Sequence, residues 1–213
     1  MSLFITFEGG EGSGKTTQIK LLREKIEEMG FTLCLTREPG GTPISEQIRD
    51  IILNKQNTKL VPLAELLLYE ASRAQHVHEK ILPFLNENEK NVLICDRFYD
   101  ATTAYQACAR ALGYDLIEKL NHIATSGLNP DLTFYIDIDP SIGVKRAKRV
   151  LSQTNSTEGR FEEESLTFHK EVRRAYLDIS DRFPSRVKVI DGSLSIEQVH
   201  NDIWEHIKCY LKK

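Results

Sequence analysis

The sequence lacks several features that define common classes of protein. Its four cysteines, Cys34, Cys95, Cys108 and Cys209, form no C-x-x-C pair, and no signal-peptide pattern or apolar stretch of membrane-spanning length is present. We therefore expect a reducing, cytoplasmic compartment and no membrane partner. With 28 basic and 31 acidic residues, the formal net charge is -3, which gives no reason to expect nucleic acid as a partner.

Two further absences concern the organisation of the chain. No Pro/Gly/Ser-rich linker divides the 213 residues, and no internal repeat is found. We therefore expect residues 1–213 to form a single domain, long enough for one substantial core. His76 and His78 lie two residues apart, a spacing at which helical side chains do not face each other, so a packed or solvated role is favoured over metal binding.

Five short apolar runs alternate with helical patterns and predict the fold class. The runs are Leu3 to Phe7, Phe31 to Thr36, Val92 to Cys95, Leu132 to Ile138 and Val187 to Ile190. Continuous apolar runs are typical of parallel strands that helices cover on both faces. The pattern predicts an α/β fold with a five-stranded parallel sheet and helices on both faces.

Helix signals agree with this alternation. A helix is expected from Lys15 to Met29, with Gly30 after its end. Pro62 can start a long helix that ends near Leu85, and another helix is expected to begin near Glu162.

A phosphate-binding loop is predicted at residues 9–16. These residues match G-x-x-x-x-G-K-[ST] in full, between an apolar strand and a helix. Glycines let the backbone approach a polyphosphate, while exposed N–H groups and the helix dipole favour its oxygens. Lys15 can reach the terminal phosphates, and the Thr16 hydroxyl can join the shell of Mg²⁺. The predicted ATP-phosphate site comprises Gly9, Gly10, Glu11, Gly12, Ser13, Gly14, Lys15, Thr16 and Thr17.

Polar residues also follow the second and third strands, at the edge where open parallel sheets bind ligands. Arg37 and Arg97 emerge at the same edge as the phosphate loop, and guanidinium groups bind phosphate in a bidentate way. Two such arginines indicate more than one phosphate. Asp96 ends an apolar strand and can hold Mg²⁺ directly or through water, although an aspartate there can also cap the next helix.

A polar, turn-prone segment at residues 151–159 lies between Arg149 and Arg160. Its composition fits a mobile lid at about residues 148–162, and it fits an ordinary surface loop as well. Closure of a lid would carry the charge of Arg160 over a transferring phosphoryl group and stabilise the transition state. For Arg149, phosphate binding and a role at the C-terminus of its own helix stay open.

Five segments together carry a family resemblance. They are residues 8–17, the Thr-Arg-Glu-Pro-Gly-Gly-Thr segment 36–42, Asp96-Arg97, residues 104–106 and residues 129–133. In this combination the chain resembles the bacterial thymidylate kinases nearly end to end, and segment 36–42 is the most specific part. The resemblance implies a P-loop NTPase-type fold, a homodimer, and Mg²⁺-dependent transfer of the γ-phosphoryl group of ATP to dTMP, which gives dTDP and ADP.

The resemblance also implies roles for residues near the acceptor phosphate and sugar. Arg37 would hold the dTMP phosphate, and Arg97 would reach the phosphates of both nucleotides. Tyr105 would stand where a ribose hydroxyl would lie, and Glu11 would receive the 3′-hydroxyl. Lys15, Arg97 and Arg160 are the expected catalytic groups.

Four further positions are expected at the thymine base. Tyr69 would lie against the ring, with Arg73 and Thr102 at its hydrogen-bonding edge, and Gln106 belongs to the same substrate site. From the residues alone, Tyr69 could equally be helix core and Thr102 helix surface. The chain departs from the family at the lid, where Gly159-Arg160 replaces the usual Asp-Arg pair and segment 151–158 is longer.

Two other functions remain to be separated by experiment. A kinase for dUMP, dCMP or a deoxynucleoside would carry the same phosphate loop. A nucleotide-dependent switch would normally carry Asn-Lys-x-Asp, whereas residues 54–57 read Asn-Lys-Gln-Asn and do not follow a predicted strand.

Overall fold

A computed structural model describes residues 2–153, 160–161 and 163–211. Within these ranges five parallel strands form one sheet in the order β2-β3-β1-β4-β5. The strands are β1 (Leu3–Glu8), β2 (Thr32–Arg37), β3 (Asn91–Asp96), β4 (Leu132–Asp137) and β5 (Val187–Asp191). Each overlaps one of the apolar runs, so the predicted fold class is confirmed.

Helices connect the strands and surround the sheet. They are α1 (Lys15–Glu28), α2 (Pro43–Leu53), α3 (Pro62–His76), α4 (Leu82–Glu87), α5 (Tyr99–Thr102), α6 (Tyr114–Thr125), α7 (Pro140–Leu151), α8 (Leu166–Arg182) and α9 (Ile196–Ile207). A π-helical turn, Val77–Ile81, joins α3 to α4, so the long helix expected from Pro62 is present. A second π-helical turn, Thr103–Ala109, continues α5.

The helix expected to begin near Glu162 instead begins at Leu166. Ser165 caps it, because its hydroxyl accepts a hydrogen bond from the Phe168 N–H group. Only part of the predicted lid can be compared: residues 148–151 form the last turn of α7, while residues 154–159 and 162 lie outside the described residues. Gly159 and Glu162 are therefore outside the described residues too.

The central strands are buried on both faces. On one face Ile5 packs with Ile26 of α1 and Ile203 of α9, and on the other Phe4 packs with Val77. This packing places the carboxyl ends of β1 and β3 at the centre of one sheet edge. Phe7 and Asp96 are paired in register there, so the loops that follow the two strands meet.

Two observations bear on the surroundings of the chain. In the described part of the structure, no helix is long and apolar enough to cross a bilayer. All four cysteines are free thiols.

Segment 54–57, which was compared with the Asn-Lys-x-Asp motif of nucleotide-dependent switches, follows helix α2 and not a strand.

Candidate active site

A cavity of about 630 Å³ opens at the carboxyl ends of β1, β2 and β3. It extends from the phosphate loop to the buried side of α3 and α5. The predicted site residues that line it are Glu11, Gly12, Ser13, Gly14, Lys15, Thr16, Thr17, Arg37, Tyr69, Arg73, Asp96, Arg97, Thr102, Tyr105 and Gln106. Gly9, Gly10, Arg149 and Arg160 are not among its lining residues.

The phosphate loop joins β1 to α1 through a backbone that requires glycine. Gly9, Gly12 and Gly14 have φ values of 146°, 66° and 100°, which residues with a Cβ rarely adopt. The Lys15 ammonium donates to the carbonyl oxygens of Gly9 and Gly10, at 3.1 and 3.2 Å. Burial lowers the pKa of Lys15. The loop therefore presents a desolvated amine to the cavity.

Helix α7 approaches this loop at backbone distance. A Cβ on Gly12 would lie 2.2 Å from the carbonyl oxygen of Gly143, and a Cβ on Gly143 would lie 2.4 Å from that of Glu11. Both positions therefore require glycine, although only Gly12 has a motif to mark it. Arg146 and Arg149 are both exposed on this helix, and only Arg146 lines the cavity.

The turn after β3 brings Arg97 to the phosphate loop. Its Nη2 atom donates to Glu11 Oε1 at 3.0 Å, and its guanidinium lies 5.2 Å from the centre of the Tyr105 ring. The Tyr105 hydroxyl is 2.9 Å from both oxygens of Glu11. Burial disfavours the charged form of Glu11, but Arg97, His169 and other partners prevail and lower its pKa to about 2. Glu11 is thus a carboxylate at neutral pH.

Two arginines line the cavity beside the start of α2. Arg37 ends β2 and pairs with Glu46 at 2.8 Å, with half of its side chain exposed. Arg49 lies two turns into α2, where its Nη1 atom donates to the carbonyl of Pro39 at 2.9 Å. The sequence motifs identify Arg37 but not Arg49.

Arg73 is the centre of a buried polar network. The whole side chain is 1% exposed, and it donates to Glu38 at 2.8 Å and to Glu70 at 2.9 Å. Its Nη2 atom donates to the Thr102 hydroxyl at 2.9 Å, and Nη1 also donates to Asn121 at 3.1 Å. Burial works against the charge, but the two carboxylates raise the pKa of Arg73. Of its five N–H groups, one on Nη2 has no partner among these contacts.

His76 belongs to the same network. Its ring nitrogens lie 3.0 Å from Glu38 and 2.7 Å from the Thr36 hydroxyl, and the ring is completely buried. The sequence left a packed role and a solvated role open for His76, and the structure shows the packed role.

An aromatic wall closes one side of the cavity. The Tyr105 ring meets Phe161, Phe168 and Tyr176 edge to face, with centroids 5.5 to 6.4 Å apart. Tyr69 lies 6.5 Å from Phe161. Gln106, next to Tyr105, donates to Glu65 at 2.7 Å.

Arg160 contacts the acceptor end of the site and not the phosphate loop. Its Nη2 atom donates to Glu65 at 2.6 Å, and Nε donates to the carbonyl of Ile52 at 2.7 Å. Glu65 is 1% exposed and also pairs with Arg110 at 3.4 Å. Glu65, Tyr69 and Arg73 are spaced by four along α3, so they share a face. That spacing is the signal from which Glu65 could have been found.

The comparisons with known proteins agree with one another. A family model described as "Thymidylate kinase" matches residues 7–203. The chain belongs to the thymidylate kinase family. It is 48% identical over 204 residues to the thymidylate kinase of Pelobacter propionicus, covering 95% of this chain and 92% of that one. It is 44% identical over 210 residues to that of Clostridium novyi, covering 98% of both.

A solved structure extends the likeness to three dimensions. The crystal structure of thymidylate kinase from Ehrlichia chaffeensis matches with a TM-score of 0.76 and 34% identity, covering 97% of this chain and 98% of that chain. Thymidylate kinase membership confirms the resemblance drawn from the motifs. The expected class of enzyme, an ATP-dependent nucleoside monophosphate kinase, is confirmed with it.

Two oxygen ligands in the cavity suit a magnesium ion. Thr16 stands in the first turn of α1, and Asp96 ends β3 on the same cavity. Within the described ranges no three His, Cys, Asp or Glu side chains cluster closely enough to hold a metal by themselves. Mg²⁺ in kinases typically uses one or two protein ligands together with phosphate oxygens and water. A hydroxyl and a carboxylate fit that requirement.

Proposed function

We propose that the chain transfers the γ-phosphoryl group of ATP to dTMP, with Mg²⁺, and that it divides one cavity into a donor and an acceptor side. The observation that supports this most strongly is the continuity of the cavity. It runs from Lys15 on the phosphate loop to the buried Arg73–Thr102 pair, with Arg97 between them. Two ligands bound at its ends would meet at Arg97.

On the donor side, the phosphate loop binds ATP through Gly9 to Thr17. Lys15 neutralises the terminal phosphates, and Thr16 and Asp96 are the residues that would hold Mg²⁺, whose charge would offset that of the transferring group. Arg146 and Arg149 are both candidates for the donor nucleotide. Both side chains are exposed, but Arg146 lines the cavity and Arg149 does not, which favours Arg146.

On the acceptor side, Arg37 binds the dTMP phosphate and Arg97 holds it in line with the donor. Arg73 offers its remaining N–H to a carbonyl oxygen of thymine, beside Thr102 and Gln106, and Tyr69 covers the ring. Tyr105 and Glu11, which are hydrogen-bonded to each other, form the sugar site: Glu11 receives the 3′-hydroxyl group, and the Tyr105 ring occupies the space of a 2′-hydroxyl group.

Catalysis then depends on position and charge. The acceptor phosphate is held in line while Lys15 and Arg97 offset the charge that spreads over the phosphoryl oxygens. Arg160 contributes to this step only after it leaves Glu65, because that ion pair holds it at the acceptor end.

A panel of acceptors tests the proposal. We expect the highest kcat/KM with dTMP, a lower value with dUMP, and very low values with UMP, dCMP, AMP and dGMP, because unpaired polar groups in a closed site discriminate strongly. Equal use of UMP and dUMP would remove Tyr105 from the sugar site. Preference for dCMP or AMP would contradict the assignment of dTMP and leave a kinase of another acceptor.

We further propose a homodimer in the cytoplasm, organised as one domain over residues 1–213 with its lid at about residues 148–162. Free thiols at all four cysteines are in keeping with a reducing compartment. Helices α2 and α3 pack together and expose Ile51, Leu63 and Leu67, each about half accessible, which supports a second copy on that face. Sedimentation equilibrium of the wild type and of Leu67→Asp distinguishes dimer from monomer.

A further inference from the structure

The turn after β3 holds Arg97 in a strained backbone conformation. Its φ is +69°, in the left-handed region where residues other than glycine are uncommon. Such a conformation persists when its surroundings fix it. The Arg97 N–H group donates to the carbonyl of Phe7 at 2.9 Å, and the Cys95 thiol donates to the carbonyl of Arg97 at 3.0 Å. The next N–H group, of Phe98, donates to Glu8 Oε1 at 2.7 Å.

Glu8 is also linked to the Arg97 side chain, through Tyr176. The second oxygen of Glu8 accepts from the Tyr176 hydroxyl at 2.7 Å, and that hydroxyl lies 3.5 Å from Arg97 Nη1. The Tyr176 ring is itself held, because it stacks on Tyr135 at 4.7 Å. One carboxyl group is therefore linked to the turn at Phe98 and, through Tyr176, to the guanidinium of Arg97.

The proposed reaction leaves Glu8 without a direct role. Glu8 is completely buried and does not line the cavity, so it cannot touch either nucleotide in this arrangement. Burial and the neighbouring Asp100 raise its pKa to about 8. A carboxyl group that is costly to bury is usually kept for the hydrogen bonds it makes. Those bonds lead to the Arg97 turn and to Tyr176.

We propose that Glu8 and Tyr176 are positioning residues that aim Arg97 at the phosphates. Glu8 fixes the backbone of the turn through Phe98, and Tyr176 limits the direction of the guanidinium. The inference rests on the proposed function, because it takes the phosphates to be the target of Arg97.

The first test is to remove single atoms around Arg97 and to measure kcat and KM with ATP and dTMP. Tyr176→Phe deletes one oxygen and is expected to lower kcat roughly tenfold, the size of one hydrogen bond, while KM for ATP stays within about twofold. Tyr135→Phe makes the same change in the stacked ring, where the hydroxyl contacts Asp137, and should not lower kcat.

The conservative variant of Glu8 provides the second comparison. Glu8→Gln can still accept from Phe98 and can donate to Tyr176, so it should keep most of the turnover. Glu8→Leu can make neither hydrogen bond, so its turnover should fall further than that of Tyr176→Phe. If Glu8→Leu does not fold, Tyr176→Phe and Glu8→Gln still carry the test, with thermal unfolding recorded for each.

A double-mutant cycle tests whether Tyr176 acts through Arg97. In an Arg97→Ala background, measured at high enzyme concentration, Tyr176→Phe should have no further effect on turnover. The inference is overturned if Tyr176→Phe and Tyr135→Phe have the same kcat. It is also overturned if Tyr176→Phe lowers kcat by the same factor in the wild type and in the Arg97→Ala background. Either result would leave the wild type active on dTMP, whereas a wrong proposed function would show as an inactive wild type.

Discussion

The donor and acceptor ends of the cavity are built in different ways. The donor end is built mainly from one stretch of consecutive residues, because residues 11–17 all line the cavity and Lys15 supplies the charge there. The acceptor end is assembled from side chains on β2, α3, the Thr103–Ala109 turn and α6, which meet through buried ion pairs such as Arg73–Glu38. A donor-side group can therefore be removed with little harm to the fold. An acceptor-side group supports the structure and the ligand together.

The largest effect should come from Lys15→Ala, which tests the donor half of this contrast. The amine touches only loop carbonyls, so the variant should fold normally and lose turnover by on the order of 10³-fold or more. Steady-state turnover and thermal unfolding measure the two consequences. Lys20→Ala, on the exposed side of the same helix, is the matched control. Near-normal turnover of a folded Lys15→Ala enzyme would disprove the donor assignment.

Arg160→Ala comes next and tests whether a residue seen at the acceptor end works at the donor end. We expect turnover to fall by on the order of 10³-fold, with only a modest change in the dissociation constant of ATP, as for a charge used mainly in the transition state. Isothermal titration and saturation kinetics separate the two quantities. Arg174→Ala, exposed on α8, is the control. Collapsed ATP binding with preserved turnover would make Arg160 a binding residue instead.

Arg73→Lys should mainly lower the free energy of unfolding, because Arg73 holds the acceptor end together. The guanidinium pairs with Glu38 through Nε and with Glu70 through Nη1, and a single lysine ammonium cannot reproduce both bonds. One of the two buried carboxylates therefore loses its charged partner, at a cost of about 3–5 kcal/mol. Arg37→Lys is the comparison, because its half-exposed pair with Glu46 is worth less than about 1 kcal/mol. Urea unfolding measures both. If the two variants had the same free energy of unfolding, the buried ion pairs of Arg73 would not support the fold more than the half-exposed pair of Arg37 does.

The last prediction concerns Glu8, which is buried beside the turn that carries Arg97. Its folded pKa of about 8 lies above the ordinary value of 4.5, so its contribution to stability is complete below pH 4.5 and is lost as the pH rises towards 8. Relative to Glu8→Gln, the wild type should thus lose up to about 1.4 kcal/mol of stability for each pH unit within this window. Urea unfolding at several pH values measures the difference, with Glu24→Gln on the surface as control. Parallel curves for wild type and Glu8→Gln would contradict a buried, protonated carboxyl.

The contrast also explains how much the sequence could predict. The five strands, the phosphate loop and Asp96-Arg97 are marked by consecutive residues, and the structure brings them to one cavity. Arg49 and Gly143 carry no local motif, and Glu65 is marked only by its spacing from Tyr69 and Arg73, because the importance of these residues comes from contacts far along the chain. Glu65 meets Arg160 across 95 positions, and Arg73 meets Asn121 across 48. Glu38 lies inside a recognised segment, but its role as the partner of both Arg73 and His76 appears only when α3 is folded against it.

Gly143, the fourth residue of α7, weakens its helix by roughly 1 kcal/mol relative to alanine. Because residue 143 has no side chain, the backbone of the helix can contact the carbonyl of Glu11 directly. The start of α7 thus contacts the phosphate loop, and we expect bound phosphates to make that loop more ordered. Amide hydrogens of residues 144–149 should therefore exchange with deuterated solvent more slowly in the presence of nucleotide, even where no atom of those residues touches it. Isotope exchange along this one helix would report when the donor loop is filled.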